Sequence, residues 1–448
     1  MFAFDAGSYA FISRLVHANT LPKMAYVHQT FDSQKIDDVK GELLVQLSRK
    51  EIQRQLSSVK RGETVAITAG SRQVRNLSLI VKTLVDELKH MGAKPFVIPS
   101  MGSHGGATAE GQRQMIGSYG ITEEAMGCPI KSDMATVQIG TTSDGKAVCI
   151  DRNAASANHI IVLNRVKPHT CFRGPYESGL MKMMAIGLGK QHGAEICHND
   201  GFGRMTKNIE AFGRVILEKA PILMGIALVE NAYDQTCMIR ALTPKEIPDE
   251  EPKLLEFARS RMPRILLPSC DILIVDSMGK NFSGSGMDPN VTGRFVTPYA
   301  HGGIDAQRLA VLDLSDESHG NCIGVGVADV TTKRLYDKAC PEFAYINGMT
   351  SLVIKGTKMP MVMKNDEEAV LACLRTCTGI DRTKPRIVRI PNTLQLSCIQ
   401  VSEAMKEEVD ANEDLAFVSA FQDFVFDEKG NLESFGKESL VAKKETSI

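Results

Sequence analysis

Apolar residues recur along the first half of the chain in two alternating rhythms. Residues 63–70 (ETVAITAG) form a short apolar run closed by glycine. Residues 76–92 (NLSLIVKTLVDELKHMG) space their apolar positions three and four apart and then stop at glycine. Residues 94–102 (KPFVIPSMG) make a second strand-like run, and 108–120 (TAEGQRQMIGSYG) a second helical pattern. Strand, glycine-rich turn and helix, repeated, predict a parallel α/β sheet, whose ligands sit in the turns at the carboxyl ends of the strands. A helix at 207–219 and a strand at 221–231 extend the pattern. The acidic, proline-bearing 243–253 and the proline-punctuated 261–270 then mark a change of unit. The second half restarts as α/β with CDILIVDSMGKNFSGSGMDPN (270–290). The expected organisation is an N-terminal α/β domain over 1–267, a C-terminal α/β domain over 268–432, and a polar tail over 433–448.

Composition narrows the function classes. The chain has 448 residues, 43% hydrophobic and 23% charged, with net charge −1, which leaves no basic excess for nucleic acid. No apolar run is long enough to span a membrane, and the N-terminus lacks the basic and apolar regions of a secretory signal. Eleven cysteines without CxxC spacing suit a reducing compartment. A cytoplasmic enzyme is the expectation.

Three strand-end turns carry polar groups. In SMGSHGGATAEG (100–111), Gly105 and Gly106 let backbone amides approach an anion, His104 is displayed, and Thr108 is placed to cap the next helix. In TAGSRQVRN (68–76), Ser71 is a candidate helix cap and Arg72 a candidate anion fork. In NRVKPHTCFRG (164–174), His169 closes a strand and projects from the same sheet edge as His104. A fourth segment, SGLMKMMAIGLG (178–189), reads as a short helix whose one charged residue is Lys182, broken by Gly187 and Gly189. Such a lysine either snorkels to solvent or is desolvated, with a lowered pKa and an available amine. His192 and His198 follow, six residues apart and not on one helical face, unlike a HExxH zinc site.

Together, GSHGGATAE, the KPH strand end, and a glycine-rich apolar segment with a lysine and a histidine sixteen residues on resemble the nickel-dependent lactate racemase family of 2-hydroxy-acid racemases and epimerases. The resemblance implies two α/β domains with mostly parallel sheets and the active site in the cleft between them. Its cofactor is a nickel-pincer nucleotide, nickel pyridinium-3,5-bisthiocarboxylic acid mononucleotide. Carried over, this makes Lys182 the covalent tether, His198 the nickel ligand, His104 and His169 the acid–base pair, and Arg72 the residue facing an anion. Ser71, Gly105 and Gly106 would line the cofactor, and Lys280 in GKNFSG would contact the substrate from the second domain. The partners implied are a small 2-hydroxy acid and the enzymes that build the cofactor, with Lys190 and His192 as bystanders. Such an enzyme would invert C2 by removing and returning hydride, because direct deprotonation next to a carboxylate is disfavoured.

Three departures argue against lactate itself and toward a sugar acid or malate-like acid. Ala69 stands where the family carries an acid, the chain has no tryptophan, and the SGSGMDPN loop differs. Two other readings use the same residues. One is a zinc-dependent hydrolase or lyase with His104, His169 and His198 as ligands. The other is a non-catalytic nucleotide- or anion-binding module.

Overall fold

A computed structural model describes residues 6–72 and 74–435. The chain forms mixed α/β structure in two compact units. One is Asp32–Met262; the other joins the described residues through Phe31 to those from Pro263 onward. This differs from the 1–267 and 268–432 division read from the sequence. The first residues fall with the later unit because Met24–Gln29 is a strand of its sheet, antiparallel to Cys398–Ser402 on one side and to Leu415–Phe417 on the other. Part of the expected tail, residues 436–448, lies outside the described residues.

In the unit Asp32–Met262 the sheet order is Lys94–Pro99, Thr64–Ala69, His159–Arg165, Ile222–Glu230, Thr236–Leu242. The first four strands are parallel and the last is antiparallel. The helix Leu77–His90 covers the sheet through Leu77, Ile80, Val81, Leu84, Val85 and Leu88, the three-and-four spacing seen in the sequence. These side chains meet Val65, Ile67, Val97, Ile161 and Leu163 from the strands in one buried cluster. Each fully buried side chain of this size contributes about 2 kcal/mol relative to exposure.

Local corrections follow from tertiary context. The strand before KPH ends at Arg165, so His169 sits in the loop beyond it. Residues 180–198 are helical almost throughout: Leu180–Lys182 is an α turn, Met183–Leu188 a π-helix and Lys190–His198 an α-helix. Gly187 and Gly189 therefore do not end the helical run; the irregular residue is Lys190, with φ of 52°. The acidic proline stretch is no boundary but part of the helix Ile247–Arg261. Pro252 within it lacks an N–H for the carbonyl of Pro248, and the Tyr176 hydroxyl donates to that carbonyl instead, at 2.8 Å.

The other unit has an eight-stranded sheet in the order Met361–Met363, Val330–Thr332, Asp305–Leu314, Ser269–Met278, Ile387–Ile390, Cys398–Ser402, Met24–Gln29, Leu415–Phe417. Its first five strands are parallel and the remainder antiparallel. Leu273 and Val275 of the strand Ser269–Met278 enter one buried cluster and Ile272 and Ile274 the other, as period-two alternation requires. Among the described residues no helix is long and apolar enough to cross a membrane.

Candidate active site

The His104 loop begins where the strand Lys94–Pro99 ends. Ser100 N donates to Ala69 O at 2.7 Å, joining this loop to the end of the neighbouring strand. Gly102, Gly105 and Gly106 all take left-handed φ, near 61–66°. At Gly105 glycine is required twice over, because an added Cβ would lie 2.6 Å from Gln112 N. Thr108 caps the helix Ala109–Gly117, accepting from Gly111 N at 3.0 Å as its sequence position predicts. His104 is exposed and its Nδ1 bonds to the Ser71 hydroxyl. Ser71 is thus no helix cap; the cap position of Leu77–His90 is Asn76. Tyr119 steadies the Ser71 turn by donating to Ser71 O at 2.7 Å.

The His169 loop is organised by Glu177, whose carboxylate is fully buried. It accepts from His169 N at 2.6 Å and Gly174 N at 3.1 Å, and it pairs with Arg173 at 3.3 Å and with Arg259. Arg173 also donates to His169 O at 2.6 Å, closing the loop on itself. Cys171 N donates to His169 Nδ1 at 3.1 Å, so the neutral ring carries its proton on Nε2. Removing a proton from substrate at Nε2 would require that contact to open. Burial lowers the His169 pKa well below 6.5, and the positive charges of Lys182, His198, Arg173 and Arg72 lower it further.

Lys182 stands at the junction between the α turn and the π-helix. Wider π turns concentrate at functional sites because they displace side chains from regular helical register. The start of this helix is held by Glu251, which accepts from Met181 N at 2.9 Å and whose pKa burial raises to about 8. Gly179 leaves room for that carboxyl group, since a Cβ there would meet Glu251 Oε1 at 2.2 Å. Lys182 is half-buried by accessible area, yet its amine is surrounded closely enough that burial brings its pKa down to about 8. The amine lies 5.8 Å from the centre of the Phe172 ring. The desolvated alternative, not the snorkelling one, describes this lysine.

His198 Nδ1 donates to Ala194 O at 2.7 Å, which leaves the Nε2 lone pair free to accept a proton or bind a metal. Burial lowers its pKa, the Ala194 bond raises it, and the Lys182 charge lowers it. Aromatic rings link the histidines. His169 lies 4.4 Å from Phe172 and 6.1 Å from Phe202, and His198 stands edge-on to Phe202 at 6.1 Å.

His169, Lys182, His198 and Arg72 therefore share one neighbourhood, while His104 and Ser71 form a hydrogen-bonded pair on adjacent strand ends. Crowding of the Arg72 guanidinium and the like charge of Arg165 lower its pKa, but an arginine remains cationic at working pH. Lys280 belongs to the other unit, just beyond the strand Ser269–Met278. There its backbone N donates to Ser318 Oγ at 2.9 Å and its ammonium to Asn347 Oδ1 at 2.8 Å. Glu177, Glu251, Gln112, Phe172 and Phe202 escaped the sequence reading, and Lys190 was set aside there. Glu177 had a signal, an acidic residue between two glycines and close to Arg173, just beyond KPH. Among the described residues no group of three or more His, Cys, Asp or Glu side chains is arranged to hold a metal ion, so the three-histidine zinc site has no ligand set.

Residues 25–208 match the family model of the lactate racemase N-terminal domain. The structure of the lactate racemase apoprotein from Thermoanaerobacterium thermosaccharolyticum is similar at 14% identity with a TM-score of 0.48, covering 81% of this chain and 92% of that chain. Comparison with curated proteins gives no match. The similarity to the lactate racemase N-terminal domain thus spans residues 25–208 of this chain.

Proposed function

We propose that this protein is an isomerase that inverts C2 of a 2-hydroxy acid, using a nickel-pincer nucleotide held at Lys182 and His198. The observation that carries the reading is the joint desolvation of His169, Lys182 and His198 around the Phe172 and Phe202 rings. The residues present fit the group. A lysine with its pKa near 8 offers a largely uncharged amine at mildly alkaline pH, and an amide formed there leaves no buried charge. His198 presents one free nitrogen, which suits a metal whose other donors come from the cofactor itself. When bound, the group supplies the acceptor and donor for hydride at C2.

The chain's own residues do the rest. His104 and His169 exchange the hydroxyl proton, one for each enantiomer. Arg72 holds the substrate carboxylate by charge-assisted hydrogen bonds, and Lys280 is the further substrate contact that the family resemblance implies. Ser71, Gly105 and Gly106 line the cofactor side. Ala69 and the absence of tryptophan support a substrate other than lactate, such as a sugar acid or malate-like acid. Enzymes that build the cofactor are the implied partners.

Production in a cell able to build the cofactor should give a covalent mass increase at Lys182 and bound nickel. A panel of enantiopure 2-hydroxy acids and aldonic acids should then include at least one that is inverted at C2. Unmodified Lys182 without nickel in such a preparation, or inversion of none of the panel, overturns the reading. Lys182→Met gives a second readout in the untethered chain. The folded-state pKa near 8 lies below the ordinary 10.5, so the charged amine costs stability at pH below 8. That cost disappears as pH rises from 8 to 10.5. The variant should gain on the order of 2 kcal/mol at pH 7 and nothing near pH 10.5, measured by denaturant unfolding.

A further inference from the structure

Lys190, eight residues beyond Lys182, is fully buried and takes a left-handed φ of 52°, an uncommon conformation for a lysine. Its ammonium donates to Pro99 O at 2.5 Å and Gln112 Oε1 at 3.2 Å, and it pairs with the Asp151 carboxylate, Oδ2 at 3.0 Å, as an ion pair whose alignment falls short of a hydrogen bond. Asp151 is also buried, and its other oxygen caps the next helical turn through Asn153 N and Ala154 N. Gln112 in turn donates from Nε2 to Gly102 O at 2.8 Å and to His104 O at 3.2 Å.

The order of these contacts fixes an orientation. An amide can present either its oxygen or its NH₂ to a neighbour, but an ammonium tolerates only the oxygen. Lys190 therefore forces Gln112 to turn its NH₂ toward the two loop carbonyls. The helix and the loop also touch directly. A Cβ on Gly102 would lie 3.3 Å from Ile186, and one on Gly187 would lie 2.9 Å from Ser100 O.

We propose that Lys190 is a positioning residue: paired with Asp151, it orients Gln112, which holds the carbonyls of Gly102 and His104, and so fixes His104 relative to the helical segment carrying Lys182 and His198. The structural part stands by itself; its effect on turnover rests on the racemase reading. Misplacing a catalytic group by about 1 Å costs up to roughly 100-fold in rate.

The test uses the full chain with Gln112→Met, which removes the last link, and with Lys190→Met combined with Asp151→Asn, which removes both buried charges together and so leaves neither unpaired. Hydrogen exchange read by mass spectrometry should accelerate about tenfold or more over residues 101–107 in both variants, with peptides from 160–180 unchanged. In cofactor-loaded enzyme, kcat should fall about tenfold or more with KM kept within about threefold. Unchanged exchange over 101–107 overturns the proposal. So does uniform acceleration in every peptide with a parallel fall in Tm, which would make the contact merely stabilising, and so does a loss of activity carried in KM alone. A wild type that inverts no substrate sinks the functional reading, while the exchange data still decide the positioning.

Discussion

The two histidine loops of the candidate site are built in opposite ways. The His169 loop is closed by charge: a buried carboxylate gathers two backbone amides and two arginines, and the ring lies against Phe172. The His104 loop is closed without charge: three left-handed glycines wrap it onto the helix Ala109–Gly117, the Gln112 amide of that helix holds two of its carbonyls, and the ring is exposed beside Ser71. The first arrangement holds an imidazole neutral and fixed. The second leaves it accessible, with its position set by backbone carbonyls. On the proposed racemase reading, two residues of one type would exchange protons on two different footings, one for each enantiomer.

Replacing either histidine should give the largest effects. His104→Gln and His169→Gln are each expected to lower kcat by about 10²–10⁴ in cofactor-loaded enzyme. Glutamine keeps an N–H donor where Nε2 stood but cannot take a proton. Activity within about tenfold of wild type in His169→Gln would therefore mean that this ring only donates a hydrogen bond, as its Cys171 contact allows. The same ring gives a pH signature. Its folded-state pKa lies well below 6.5, so the folded protein binds fewer protons than the unfolded chain as pH falls through 6.5, and stability drops in that window. His169→Gln should remove part of that acid sensitivity, seen as a smaller Tm loss between pH 7 and pH 5. An unchanged acid slope breaks the contrast between the two loops.

The next effect separates the loops by their braces. Glu177→Gln keeps the shape but leaves Arg173 and Arg259 facing a neutral amide. Breaking a buried pair from one side costs about 3 kcal/mol. Denaturant unfolding should show a loss of that size, and hydrogen exchange should quicken around 167–178 before 101–107. Equal quickening of both segments would make the two loops a single unit.

How much of this was legible beforehand depended on the range of the interactions. The alternation of strand, turn and helix is local, and it located the helix Leu77–His90 and the turns bearing Arg72, His104 and His169 within a few residues. The apolar setting of Lys182 was equally plain, because the residues flanking it in sequence, Leu180, Met181, Met183 and Met184, are themselves buried. The braces were not legible. Glu177 meets Arg259 across 82 positions, Lys190 meets Gln112 across 78, and no local pattern distinguishes such residues from surface charges. Lys190 was accordingly set aside as a bystander, although it is among the largest fully buried side chains. The π-helix over Met183–Leu188 was hidden for another reason: Gly187 within it and Gly189 just after it read as breakers, whereas close approach of Ser100 O to Gly187 explains the first as packing. The placement of the strand Met24–Gln29 was hidden too, since strand pairing with residues near 400 leaves no trace in the strand's own sequence.

The smallest effects test the glycine side of the comparison, and they should differ between neighbours. Gly105 and Gly106 share nearly the same φ, 66° and 65°. A left-handed alanine costs roughly 1–2 kcal/mol for backbone reasons alone. At Gly106 nothing lies within 4 Å of an added Cβ, so Gly106→Ala should cost only that amount. At Gly105 the Cβ would press on Gln112 N at 2.6 Å and on the carbonyl carbon of Gly111 at 2.7 Å, both backbone atoms that cannot move without the helix. Gly105→Ala should therefore lose more stability than Gly106→Ala and also displace Gln112, lowering kcat in loaded enzyme where Gly106→Ala leaves it nearly intact. Equal losses in the two variants would mean that the loop yields as a whole, and that His104 is held by Ser71 rather than by the packing of glycines against the helix.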